Sequence, residues 1–114
     1  MISYTNETKV GLGVDPSLLR QHGAVSPQVA EDMARAIRRQ LNADLGVGIT
    51  GVAGPAQLEG KPIGTVHIGL AHKDGTLSFS RHYPTHRSLV TQRATTEAIL
   101  ELWHLLNKIR RGMD

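Results

Sequence analysis

The groups in this chain that could do chemistry gather around one glycine-rich stretch. An apolar run, Leu45-Gly46-Val47-Gly48-Ile49, breaks off into Thr50-Gly51-Val52-Ala53-Gly54-Pro55, followed by a polar segment and a second start at Pro62-Ile63-Gly64. Glycines after a strand free the backbone for turns and expose its N–H groups, so the pattern reads as a strand feeding a ligand-cradling loop. A tight turn with no ligand would use the same residues. Near that loop the order of elements brings the phenol of Tyr4, the amide of Asn6, the amine of Lys9, the hydroxyl of Thr50, the backbone of Gly51 and Gly54, and the guanidinium of Arg87. Such a set suits an anionic ligand; taken alone, Lys9 reads as a surface helix lysine. His67 and His82 form a second candidate. A hairpin turn at Asp74-Gly75 would set them opposite each other, as half a metal site or as a surface pair; no third ligand is visible and no metal is expected.

The elements that must position these groups can be read in order. Met1–Tyr4 is the end of a strand, and Thr5 or Asn6 caps a short helix running to Gly11 or Gly13. Asp15-Pro16 opens a second short helix that stops at Gly23, and Ser26-Pro27 opens a helix over 27–42. There Val29, Met33, Ile37 and Leu41 recur every four residues, Glu31 can pair with Arg35, and Arg35, Arg38 and Arg39 lie on the opposite face. A strand follows at Leu45–Ile49, in which Gly46 and Gly48 share a face that admits a close neighbour. Strands at Gly64–His72 and Thr76–Tyr83 form the hairpin, with Val66, Ile68, Leu70, Leu77, Phe79 and Tyr83 on one face and small residues, including Gly69 and Ala71, on the other. Ser88 caps a last long helix. Val90, Ala94, Ala98, Leu102, Leu105 and Ile109 form its core stripe, widened by Ile99, Trp103 and Leu106, and its tail frays from Arg110 onward. The sum is an α/β fold, a three-layer α/β/α sandwich with a mixed sheet.

Composition bounds the function. With 114 residues the chain holds one domain, and 39% hydrophobic residues can build its core. Aromatic residues are only 4%, too few for a module that stacks on bases, so nucleic acid is not an expected partner despite a net charge of +3. The absence of cysteine excludes disulfides, thiolate metal sites and a thiol nucleophile, and suits the cytoplasm. No run is long enough to span a bilayer, and no membrane partner is expected.

Several stretches together carry a resemblance to a known family. Ser3-Tyr4-Thr5-Asn6-Glu7-Thr8-Lys9 resembles a Tyr-Ser-Asn-Glu-x-Lys motif, and His22–Ser26, Thr50–Pro55, Lys61–Val66 and Arg87 match in order and spacing. These motifs are similar to those of the C-terminal domain of the CinA (competence/damage-inducible) family, from Met1 to about the end of the last helix. The family's active members are nicotinamide-nucleotide amidases, which hydrolyse nicotinamide mononucleotide to nicotinate mononucleotide and ammonia without a cofactor. The resemblance implies Lys9 as the base that activates a serine and Tyr4 as its neighbouring hydroxyl. It assigns substrate binding to Asn6, Thr50, Gly51, Gly54 and Arg87.

Three departures accompany it. The serine motif Glu-Ser-Cys-Thr-Gly-Gly is absent, Val90-Thr91 stands where a second arginine is common, with Arg93 displaced, and the segment after Pro55 lacks extra glycines. The expectation is a single domain over 1–114 lacking the family's N-terminal strand and helix with the serine, and therefore inactive alone. One sheet edge and part of the apolar face would lie open, which leaves homodimerisation open. The alternative is a non-catalytic nucleotide-binding or partner-interaction domain.

Overall fold

The computed structural model describes residues 13–52, 64–83 and 87–112; within the last helix the side chains of Arg87, Ser88, Thr91 and Gly112 are outside that description. The expected strand at Met1–Tyr4 and the helix after it lie outside the described residues. The elements are α1 (Pro16–His22), α2 (Pro27–Gln40), β1 (Gly46–Gly51), β2 (Thr65–His72), β3 (Gly75–His82) and α3 (Arg87–Gly112).

Local chemistry explains the first two helices. Asp15 is extended, and its carboxylate accepts from the Ser17 backbone N–H while Pro16 occupies the first turn. Ser26 does the same for α2, accepting from Val29 N–H at 3.3 Å ahead of Pro27. α2 ends at Gln40, two residues earlier than its apolar spacing suggests. Asn42 takes a positive φ of 48°, and the Asn42 and Ala43 N–H groups bond back to Arg39 and Arg38 carbonyls. This left-handed stop leaves Leu41 largely exposed. Arg35 pairs with Asp32 rather than with Glu31, at 3.3 Å, and Asp32 also accepts the Asp15 N–H at 2.7 Å, tying α2 to the cap of α1.

The three described strands pair antiparallel in the order β1-β2-β3. The parallel neighbour that would make the sheet mixed was expected in residues outside the description. α2 packs on one face and α3 on the other, so the α/β/α layering holds. Gly46, Gly48 and Gly69 all lie on the α2 face, because Gly48 stands opposite Gly69. A Cβ on Gly48 would sit 2.6 Å from Met33 Cβ and against the Ala30 carbonyl; one on Gly69 would sit 2.7 Å from the Glu31 nitrogen. The missing side chains are what let α2 lie on the sheet backbone. Across the sheet, Val66, Ile68 and Leu70 meet Val90, Ala94, Ala98 and Leu105 of α3, with Val47, Ile49, Phe79 and Tyr83 packed against them.

Three expectations are corrected. The hairpin turns one residue earlier than Asp74-Gly75: Lys73 and Asp74 form its corners and His72 faces Gly75, whose φ of 151° supplies the conformation other residues avoid. Partners therefore move by two positions, which preserves every face. His67 now faces Ser80, with Nδ1 and Oγ 2.8 Å apart, and His82 faces Thr65, so the two histidines are not a cross-strand pair. Ser88 lies inside α3 rather than capping it, and α3 continues through Arg110 and Arg111 to Gly112. Finally, Ile99, Trp103 and Leu106 are 62%, 59% and 45% exposed: they form a second stripe facing away from the sheet instead of widening the core.

Candidate functional site

The glycine-rich stretch leaves the sheet at the C-terminal end of β1. Three backbone bonds continue the ladder past the strands there. Val52 N–H donates to the Thr65 carbonyl at 2.8 Å, Gly64 N–H donates to Val52 at 2.6 Å, and Tyr83 N–H donates to Gly64 at 2.8 Å. Residues 52 and 64, the two ends of the segment 53–63, are thus held side by side. Gly64 has φ of +93°, and a Cβ there would run into the Tyr83 backbone. Only glycine lets the three segments close into this neck.

The start of α2 meets the neck from one face. Thr50 is buried, and its hydroxyl donates to the Ala24 carbonyl at 2.7 Å, pinning the 23–26 turn to β1. Ser26 Oγ donates to Gly23 O at 2.8 Å while it caps α2. The positive end of α2 is thereby fixed beside the end of β1, a setting that favours negative charge or a polarised carbonyl. The backbone of Gly51 is exposed at this end, and Val52 beside it is buried. α3 begins at Arg87, four residues after Tyr83, at the same end of the sheet.

Of the residues singled out from sequence, Thr50 and Gly51 stand together here, and Arg87 opens α3. Tyr4, Asn6, Lys9 and Gly54 lie outside the described residues. The role of Thr50 differs from a ligand-facing hydroxyl: its proton is committed to Ala24, so it shapes the site by holding the turn in place.

Two features were not singled out as site residues. One is Tyr83, whose hydroxyl is buried with no hydrogen-bond partner among the described residues. Burial raises its pKa, reinforced by the Glu97 carboxylate and opposed by Arg81 and Arg93. Alternation along the strand places Tyr83 on the apolar face, but nothing in the sequence says whether its hydroxyl finds a partner there. The other is a charged cluster on the α3 side of β3, where Arg81 holds Glu97 at 2.9 Å and Glu101 at 3.7 Å. Among the described residues no group of three or more histidine or acidic side chains could hold a metal, and no helix is long and apolar enough to cross a membrane.

Comparison with known proteins agrees with this architecture. The model of the CinA C-terminal domain family matches residues 1–106. A CinA-like protein of Frankia casuarinae is 42% identical over 114 residues, covering 99% of this chain and 25% of the relative. A CinA-like protein of Mycolicibacterium gilvum is 44% identical over 115 residues, covering 98% and 26%. The chain thus spans about a quarter of the length of the curated relatives it matches. Among solved structures, a competence-damaged protein (CinA) superfamily protein from Escherichia coli aligns with a TM-score of 0.85 at 31% identity, over 90% of this chain and 60% of that one. A competence or damage-inducible protein from Enterobacter asburiae aligns with a TM-score of 0.87 at 30% identity, over 93% and 68%.

Proposed function

The chain belongs to the CinA C-terminal domain family, and from that premise we propose that it provides the nucleotide-binding and base-supplying part of a nicotinamide-nucleotide amidase. The observation that carries this reading is the pinned end of β1. Thr50 and Gly51 meet the positive end of α2 where the glycine-rich segment enters and leaves the sheet, within a stretch whose motifs match the amidase pattern in order. Open α/β sheets bind ligands at such strand ends.

In this reading the Thr50–Gly54 backbone and Asn6 hold the nucleotide, and Arg87 takes its phosphate. Lys9, oriented by Tyr4, accepts the proton of a serine hydroxyl as that oxygen attacks the carboxamide carbon. The same proton then leaves with ammonia, and water releases the acid from the acyl-serine. The serine motif is not among these 114 residues, so the nucleophile has to come from polypeptide outside them.

The test is ammonia release from nicotinamide mononucleotide, measured with this chain and with a longer form carrying the Glu-Ser-Cys-Thr-Gly-Gly motif. The expected result is release by the longer form only, abolished there by Lys9→Ala with a smaller effect on substrate binding. Activity in the 114-residue chain would overturn the serine assignment. A folded but inactive longer form would favour the non-catalytic, nucleotide-binding reading.

A further inference from the structure

α3 is apolar on two sides, and the described residues cover only one of them. Its inner stripe, Val90, Ala94, Ala98 and Leu105, is buried against the sheet. Leu89, Ile99, Leu100, Trp103 and Leu106 are all exposed, between 38% and 62%. At 3.6 residues per turn these five fall within an arc of about 120° on the far side of the helix. A helix with apolar stripes on opposite sides is built to be covered on both.

The charges beside the stripe say what kind of cover fits. The only carboxylates of α3, Glu97 and Glu101, are turned towards the sheet and held by Arg81. Among the described side chains of α3, the exposed charged residues are Arg93, Lys108, Arg110 and Arg111, all cations. Near its C-terminal end an open concavity of about 650 Å³ is lined by Trp103, His104, Asn107, Lys108, Arg110 and Arg111, joining the stripe to its basic border. A second copy of this chain is a poor match, because packing α3 on α3 would set cations against cations with no exposed carboxylate between them. An anionic lipid surface is a poorer match than a helix, because Arg93 and Arg111 lie together about 20° beyond one flank of the arc, Lys108 lies farther round on that same side, Arg110 falls within the arc, and none of the four lies beyond the other flank. A helix lying in a bilayer interface carries cations on both flanks.

We propose that the outer face of α3 docks an amphipathic helix of another polypeptide, with aliphatic residues against Ile99, Trp103 and Leu106 and carboxylates along the edge that meets Arg93 and Arg111. The docking does not depend on the amidase reading, since the surface lies on the far side of α3 from the sheet.

Trp103 is the only tryptophan of the chain, so its fluorescence reports on this surface alone. The full chain is titrated with a synthetic helix bearing leucines on one face and glutamates along one flank. Parallel titrations use the same peptide with lysines for glutamates and vesicles containing phosphatidylglycerol, and sedimentation velocity follows the chain alone. The expected result is a saturable blue shift with the glutamate peptide, weakened by salt and at least about tenfold weaker with the lysine peptide. The shift should be lost in Ile99→Glu and Leu106→Glu, whose exposed positions leave the circular dichroism unchanged. Equal binding of the two peptides, no shift, a stronger response to vesicles, or self-association that shifts Trp103 before any peptide is added would each overturn the proposal.

Discussion

Replacing Gly48 with alanine tests the central packing argument. The new methyl carbon would lie 2.6 Å from Met33 Cβ and 2.8 Å from the Ala34 nitrogen, and would meet the Ala30 carbonyl as well. Carbon atoms in contact sit about 3.5–4.0 Å apart, so α2 must lift by about 1 Å. The obstacle is mostly helix backbone, which cannot rotate away as a flexible side chain would. A lift of that size forfeits about a quarter to a half of each contact well where Ala30, Met33 and Ala34 lie against the sheet. Overpacking of this kind costs about 1–3 kcal/mol, and this site belongs near the top of that range. Alanine recovers about 0.4–1 kcal/mol by restricting the unfolded chain, leaving a net loss of about 2 kcal/mol. With a urea slope of about 1–3 kcal/mol per molar, the unfolding midpoint should fall by about 1 M. Gly75→Ala is the control, because nothing lies within 4 Å of a Cβ there and only its backbone conformation is penalised. If Gly48→Ala unfolds at the wild-type midpoint, or if Gly75→Ala costs more, contact between α2 and the sheet backbone is not what the glycines provide.

Three further outcomes are expected. Thr50→Val removes the 2.7 Å bond to Ala24 and should cost about 1–2 kcal/mol, with faster amide exchange at the start of α2; unchanged exchange there would dissociate Thr50 from the 23–26 turn. Tyr83→Phe removes a buried hydroxyl without a partner among the described residues and should be neutral or stabilising by up to about 1 kcal/mol in urea unfolding. Because the folded pKa of Tyr83 is raised, wild type should also lose stability as pH climbs above the ordinary tyrosine value of about 10, and the variant should lose less. Asp15 has its pKa lowered, first by the Ser17 backbone N–H, then by the Ser17 hydroxyl and Arg20. Its contribution to α1 is present above the ordinary carboxylate value of about 3.9 and disappears as pH falls through the lower folded value; a Ser17 amide resonance that ignores this acid titration would contradict the cap.

What could be read from sequence depended on whether the deciding physics was local. Asp15-Pro16 and Ser26-Pro27 announce helix starts because the cap bond and the proline ring act within three residues. The glycines at 46, 48 and 69 announced a close approach, and α2 is what approaches. The hairpin register was missed by one turn position, since Asp74-Gly75 signals a turn without saying whether Gly75 is a corner or the first strand residue. Alternation survived because the slip was even. In α3 the periodicity contains two apolar arcs, and only the third dimension selects the one that meets the sheet. Ile99 and Trp103 therefore fit the helical period of the core stripe yet face away from the sheet. At the site, Thr50 was legible as a position at a strand end, but the direction of its hydroxyl was not. Arg81 acquires Glu97 and Glu101 only through packing across elements. Tyr4, Asn6, Lys9 and Gly54 carry the chemistry of the resemblance and lie outside the described residues.

The neck formed by Val52, Gly64 and Tyr83 also makes the domain an accommodating host for grafts. Its backbone bonds, at 2.6–2.8 Å, hold residues 52 and 64 side by side within the sheet itself, so the two points where an insert would join are fixed by the ladder. Doubling the length of a flexible insert adds only about 0.6 kcal/mol of closure cost. Peptides, affinity tags or a small reporter domain spliced between residues 53 and 63 would leave the sheet register intact while standing beside the pinned end of β1. A library built at that position could search for new ligand preferences while leaving the scaffold unchanged.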